Sequence, residues 1–352
     1  MFVAIIWLFI YNIWKTKDFS YIAGISYLYT FMICINLIIG GDIMNLSYQL
    51  DKNDCYDNVL HVLKEQFLLS DRLITKLKKA NKIYLNNLPT YTKKPVTVGD
   101  TVSVVIDFEE DNSNIVASNI PLNIIYEDDY LLVINKPANI AIHPSILHFD
   151  NSLSNGVKFY FDKLGLKKKI RIVNRLDKNT SGIVVFAKNE YIQECLIKQM
   201  KTKTLKKEYL AIVEGILESK ADTLNFPIAR KEGSIIERTV SSDGDSAITH
   251  YDVVREFNNL SLVHITLETG RTHQIRVHFS HIGHPILGDT LYGRPSELIN
   301  RQALHSYKLS FIHPITKKII TLEAPIPDDM KFIYIQKNFK EWIHKVLYFL
   351  VV

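Results

Sequence analysis

The chain opens with two apolar runs. Residues 1–14 are almost wholly apolar, Lys15 and Lys17 interrupt, and 19–41 carry no charge. A membrane span needs about 20 such residues. The run therefore predicts either a transmembrane segment over 1–43 or an upstream leader ahead of a start at Met44, where a pattern typical of soluble chains begins. From there the pattern is mixed. Val59, Leu60, Leu63 and Phe67 recur at helical spacing. Ser70 can cap a second helix running to about residue 82, with Leu73, Leu77 and Ala80 as its apolar stripe. Residues 83–85 and 102–106 read as short strands, with Asn86-Asn87 as a turn. The polar, acidic stretch 108–120 reads as a linker.

Beyond Pro121 the period shortens toward two. Residues 124–126 and 131–134 form a hairpin pattern around Glu127-Asp128-Asp129. A helix is predicted from Ser152 to about 161. A strand follows near 170–173, a turn at Thr180-Ser181-Gly182, and a β-branched strand over 183–187. Ile192, Cys195, Leu196 and Met200 mark a helix over 190–200. Strands are expected at 206–214 and 260–267, with Gly270 at the turn and Ile275, Phe279 and Ile282 on the core face of the next helix. A last hairpin pairs 304–311 with 318–323, and Ile335, Phe339, Trp342, Val346 and Leu350 line one side of a terminal helix. Many short strands without regular strand–helix alternation predict an α+β fold with a mixed, mostly antiparallel sheet. The boundaries read as an apolar extension 1–43, a small module 44–107, a linker 108–120, a larger domain 121–330 and a terminal helix 331–352.

Composition narrows the function classes. The 352 residues carry 22% charged and 47% hydrophobic side chains, which are globular values, and a net charge of +5 that permits an anionic partner without requiring one. Cys34, Cys55 and Cys195 offer neither a disulfide framework nor zinc spacing, which fits a reducing, cytoplasmic setting. Membrane association rests on the apolar extension alone. On the second helix Arg72, Lys76 and Lys79 share one face, with Lys93 and Lys94 nearby, a pattern suited to a phosphate backbone. A solvated charged face explains any single such helix equally well.

No glycine-rich phosphate loop and no Gly-x-Ser-x-Gly elbow is present. His273, His278, His281 and His284 cluster in sequence but lack His-Glu-x-x-His spacing or a cysteine pair, so no metal is expected. What remains is Asp177, two residues after Arg175 in a tight connection between apolar strands, where alternation turns both toward one face. Tyr209 and Arg271 are further candidates. An Arg–Asp pair closing a surface turn is the plain alternative.

Several motifs in order resemble the RluA-type pseudouridine synthases. They are Arg175-Leu176-Asp177 with Thr180-Ser181-Gly182, Lys207-Glu208-Tyr209, and the Thr269–His278 stretch with Gly283–Gly293. Tyr126 to Lys136-Pro137 and His143-Pro144 match as well. Residues 54–107 resemble an α-L RNA-binding module, placed as in RluC/RluD-like members. The resemblance implies an isomerase that turns uridine into pseudouridine without metal or organic cofactor. It implies Asp177 as the essential carboxylate, Arg271 as the cation paired with it, Tyr209 stacked on the target base, and Arg175 filling the space the flipped base leaves. A departure stands at Asn174, where most members carry His. The expected substrate is ribosomal RNA of the large subunit, with transfer RNA as the alternative, and the expected oligomeric state is a monomer. A catalytically silent RNA-binding protein of the same fold is the competing reading. Asp177, Tyr209 and Arg271 together argue against it.

Overall fold

The computed structural model describes residues 44–333 apart from 111 and 147. The apolar extension 1–43, with Cys34, and residues 334–352 of the terminal helix lie outside the described residues.

The N-terminal part is a four-stranded sheet with two helices. Its elements are β1 (Met44–Gln49), α1 (Val59–Glu65), α2 (Asp71–Lys79), β2 (Ile83–Leu85), β3 (Leu88–Pro89) and β4 (Thr101–Ile106), with sheet order β1-β4-β2-β3. Both helices start where a short polar side chain can satisfy an orphan amide. Asn58 Oδ1 accepts from His61 N at 3.1 Å and Ser70 Oγ accepts from Leu73 N at 3.2 Å. Leu73, Ile74 and Leu77 form the buried stripe of α2, whereas Ala80 is exposed, because the helix ends at Lys79. Asn86 and Asn87 both take positive φ, 52° and 64°, as a two-residue hairpin turn requires. β1 was not foreseen. Its burial alternates weakly, and it pairs antiparallel with β4 in register from Met44 opposite Ile106.

A ten-stranded sheet forms the rest. In chain order come β5 (Ile124–Glu127), β6 (Leu131–Lys136), α3 (Leu153–Lys163), β7 (Arg171–Ile172), β8 (Ser181–Ala187), α4 (Glu190–Lys201), β9 (Lys206–Glu214), β10 (Ala221–Asn225), β11 (Ile228–Arg230), β12 (Arg238–Val240), β13 (Ile248–Phe257), β14 (Leu260–Leu267), α5 (Gln274–His281), β15 (Leu304–Ile312) and β16 (Ile319–Glu323). The main path runs β10-β13-β14-β9-β15-β8-β6-β5, with β16 beside β15 and β7 beside β8, while β11 and β12 make a separate hairpin. β8 is buried along its whole length, as its apolar run demands.

The pairings described are antiparallel except one. β15 meets β8 in parallel, and only at His305 opposite Ser181 and Ser306 opposite Gly182. This narrow join links two antiparallel halves. It also dictates Gly182, whose φ is +115° and whose added Cβ would lie 2.2 Å from Ser306 O. The loop holding Asp177 enters the sheet at that join.

The linker is stitched to the ten-stranded sheet rather than free. Asn112 is buried, and its Oδ1 accepts from Ile170 N at 2.9 Å. Glu110 takes Arg171 Nη1 and Nη2, both at 2.5 Å, and Lys76 Nζ at 3.3 Å. Burial pushes the Glu110 carboxyl upward, but the Arg171 hydrogen bond and the two cations leave it below its ordinary value. Among the described residues no helix is long and apolar enough to cross a membrane.

Candidate active site

Asp177 lies in the turn before β8 and lines a cavity of about 260 Å³. Arg175, Lys207, Tyr209, Gly270, Arg271, His273 and Arg276 line the same cavity, as do Leu176, Leu267 and Leu304. The loop, β9 and the start of α5 therefore converge on one place. The site sits beside the join between the two halves of the sheet, which explains how residues about a hundred positions apart come together.

The cation on Asp177 is Arg276, not Arg271. Arg276 Nη1 donates to Asp177 Oδ2 at 2.9 Å. Its Nε and Nη2 hold Asp289 in a bidentate pair at 2.6 and 2.8 Å. Asp289 is fully enclosed, with its side chain 0% exposed against 8% for Arg276. Such forked, charge-assisted pairs fix a guanidinium in one orientation. Burial works against the charge on both partners. The mutual hydrogen bonds and charges win, raising the Arg276 pKa and lowering that of Asp289. Arg271 instead lies in the turn before α5. It donates from Nε to Ser246 O at 3.0 Å and sits 3.4 Å from Asp245, with its side chain 41% exposed. The reason is helical phase. The helix begins at Gln274, so position 276 faces inward, while 271 precedes it.

Gly270 lies in the connection between β14 and α5, as expected, and a second feature of that connection was not foreseen. The left-handed residue there is His273, at φ 58° and ψ 17°. A non-glycine residue in that region carries strain. Its ring is tied on both sides. Nδ1 lies 2.8 Å from Tyr292 Oη, which itself accepts Arg238 N at 2.8 Å, and Nε2 lies 3.8 Å from Asp177 Oδ2. Burial lowers the His273 pKa, partly offset by the Asp177 charge. Arg276 and His273 both face Oδ2. Among the described residues no hydrogen bond reaches Oδ1, and Asp177 lines the cavity with its side chain 27% exposed.

Tyr209 is buried at 6% exposure on β9. Burial and the negative charge of Asp177 push its pKa up to about 12, so it is a neutral phenol at physiological pH. Arg175 is exposed at the cavity edge.

Two supports carried no signal in spacing alone. Lys136 is fully buried, and its ammonium donates to Pro137 O (2.8 Å), Ile140 O (3.0 Å) and Lys178 O (2.9 Å), the last of these in the Asp177 loop. Burial pulls its pKa down to about 7. Asn174 is buried too. Its Nδ2 donates to Ile183 O and its Oδ1 accepts from Val185 N, both at 2.9 Å. The amide therefore substitutes for strand pairing along β8 and fixes the chain just before Arg175.

The basic face of α2 is less free than its pattern suggests. Arg72 Nε reaches Glu190 at 3.1 Å, and Lys76 lies between Glu110 (3.3 Å) and Glu190 (3.7 Å), over the Phe108 ring at 3.9 Å. Ser70 also donates to Glu194 at 2.7 Å. Lys76 is thus a docking contact to α4 and the linker. Lys79 is exposed and has no partner among the described residues.

The histidines are separated by their contacts. His278 bonds Phe226 O at 2.9 Å and His284 bonds Glu214 O at 2.8 Å. Among the described residues no group of three or more His, Cys, Asp or Glu is close enough to hold a metal ion.

Residues 130–281 match the family described as RNA pseudouridylate synthase. The chain is 42% identical over 272 residues, covering 77% of it and 90% of the relative, to the uncharacterized RNA pseudouridine synthase YhcT of Bacillus subtilis (strain 168). It is 39% identical over 247 residues to the ribosomal large subunit pseudouridine synthase D of Nitrosomonas europaea, covering 68% of this chain and 72% of that one. Among solved structures, human RNA pseudouridylate synthase domain containing 1 is similar with a TM-score of 0.50 and 26% identity, covering 59% of this chain and 85% of that one.

Proposed function

The chain belongs to the RluA family of RNA pseudouridine synthases, which are isomerases, and from that premise we propose that it modifies uridines of large-subunit ribosomal RNA in the Asp177 cavity. The observation that carries the site is the Asp177–Arg276–Asp289 arrangement, with Tyr209 beside it. A carboxylate that must act while ionised is given a fixed cation on one oxygen and an open second oxygen. The name of the Nitrosomonas europaea relative supports the choice of RNA.

In this reading the target uridine is flipped out of its stack, at a cost of about a few kcal/mol. Arg175, exposed at the cavity edge, fills the vacated space. Asp177 attacks the sugar at C1′, or otherwise frees the base, and the N1–C1′ bond breaks with its electron pair on the base. The base turns and C5 bonds to C1′; where Asp177 has bonded to C1′, that ester bond breaks in the same step and returns its electron pair to the carboxylate. The C5 proton leaves and N1 regains one, so product and substrate have the same composition. The neutral Tyr209 phenol packs against the base and Arg276 keeps Asp177 oriented. Lys136 and Asn174 hold the loop.

The test incubates the full chain with unmodified ribosomal and transfer RNA transcripts of the host, and maps pseudouridine by carbodiimide-dependent primer stops. Stops in ribosomal RNA that vanish with Asp177→Asn, by a factor of at least about 10³ in rate and with RNA binding retained, are expected. Stops confined to transfer RNA would reassign the substrate. Near-normal turnover by Asp177→Asn would remove that residue from its role.

A further inference from the structure

Lys207 stands two residues before Tyr209 on β9, so both side chains leave the strand on the same face. Both line the Asp177 cavity. The Lys207 head lies close over Gly270: a Cβ added to Gly270 would lie 3.1 Å from Lys207 Nζ. Gly270 does not have positive φ, so backbone conformation does not demand glycine there. What the missing side chain provides is room for the ammonium.

This lysine has no partner among the described residues. The nearby carboxylates are engaged elsewhere. Asp177 is held by Arg276, Glu268 by Lys203 and His250, and Glu208 by His264 and Tyr307. Burial lowers its pKa. A half-buried cation without a counter-ion is costly to keep in a fold. It becomes favourable when the ligand brings the negative charge.

We propose that Lys207 is a substrate-binding residue whose ammonium seats an anionic oxygen of the bound nucleotide, with Gly270 left bare to make that seat. The inference rests on the Asp177 cavity being the uridine site. Two oxygens share this chemistry. One is a backbone phosphate next to the flipped uridine. The other is the uracil carbonyl, which gains negative charge while N1–C1′ breaks. A phosphate is charged before and during reaction, so its contact is felt in binding. The uracil oxygen is charged only in the reaction, so its contact is felt in rate.

The experiment is single-turnover tritium release from ribosomal and transfer RNA transcripts labelled at uridine C5, with full-length enzyme in excess over a range of concentrations and salt. Wild type, Asp177→Asn, Lys207→Met and Gly270→Ala are compared on whichever transcript the wild type converts. Loss of the phosphate contact would raise the half-saturating concentration of Lys207→Met about tenfold or more. The maximal rate would be kept, and the slope of log affinity against log salt would flatten by about 0.7–0.9. Loss of the uracil contact would lower the maximal rate by a similar factor and leave affinity and salt slope in place. Gly270→Ala should move the same parameter by a smaller factor, because its methyl only displaces the ammonium. It carries the test if Lys207→Met loses its melting transition. Both variants within twofold of wild type in both parameters would overturn the proposal. Turnover by Asp177→Asn would instead overturn the assignment of the cavity, whatever Lys207 does.

Discussion

Two charge clusters in this molecule look alike in sequence and differ in kind. Around Asp177, the Arg276 and Asp289 side chains are 8% and 0% exposed, and their hydrogen bonds leave one geometry available. On α2, Arg72 is 82% exposed and meets Glu190 through a single nitrogen. Enclosure decides what each charge is worth. A buried forked pair cannot lose one member without stranding the other. An exposed pair is screened by solvent and contributes at most about 1 kcal/mol. The first cluster is built to orient a carboxylate, while the second helps hold the small sheet against the large one and leaves a margin of free cations.

The sharpest way to break this comparison is Arg276→Met. It strands the charge of Asp289, whose side chain is fully enclosed, so stability should fall by about 3–5 kcal/mol, measured by urea unfolding. Adding Asp289→Asn removes the stranded charge and should recover part of that loss, but no turnover, because Asp177 still lacks its cation. Recovery of turnover in the double variant would show that Asp177 needs no fixed partner. An Arg276→Met protein as stable as wild type would erase the distinction between the clusters.

Acid should affect the two clusters in the same direction. Asp289 and Glu110 both have folded pKa values below their ordinary ones: burial alone would raise them, and the cations beside them prevail. A carboxyl lowered in the folded state stabilises the fold fully above its unfolded pKa, near 4. That contribution disappears as pH falls through the lower folded value. The melting temperature should therefore hold through neutral and mildly acidic pH and then drop steeply below about pH 4. Glu110→Gln should make that drop shallower. An identical profile in Glu110→Gln would mean its ion pairs with Lys76 and Arg171 add nothing.

The same contrast explains what could be read in the sequence. The α+β order was legible because apolar runs locate strands, while Asp177, in the loop between β7 and β8, and Tyr209, on β9, were singled out mainly by the motifs that resemble the family. Arg276 was not, because Arg271 lies five positions away and only the phase of α5 separates them. That phase hangs on His273, whose left-handed backbone no periodicity encodes. Lys136 bonds three backbone carbonyls, a role set by loop paths rather than spacing. Arg72 and Lys76 read correctly as one helical face, but a pattern within one helix says nothing about what that face meets. Glu110 and Glu190 are distant in sequence. The strands β10 to β13 were missed for a related reason: their burial is partial and their side chains mixed, so neither period stands out.

The smallest effect is also the most discriminating one for α2. If the small sheet contacts RNA through cations that are not already engaged, Lys79→Ala should flatten the slope of log affinity against log salt by about 0.7–0.9 for one phosphate lost. Arg72→Ala should flatten it less, because the Arg72 charge is shared with Glu190 before RNA arrives. Neither change should move the melting temperature by much, since Lys79 has no partner among the described residues and the Arg72 pair is largely solvated. Filter binding across a salt series on the same transcript reads both slopes. A larger change in Arg72→Ala would mean that the Glu190 contact opens and the guanidinium moves onto phosphate. The docking face of α2 would then be an RNA face held closed until substrate binds. In that case Glu190→Gln, which frees the same guanidinium, should tighten RNA binding at low salt, and an unchanged affinity there would leave Arg72 as a docking contact only.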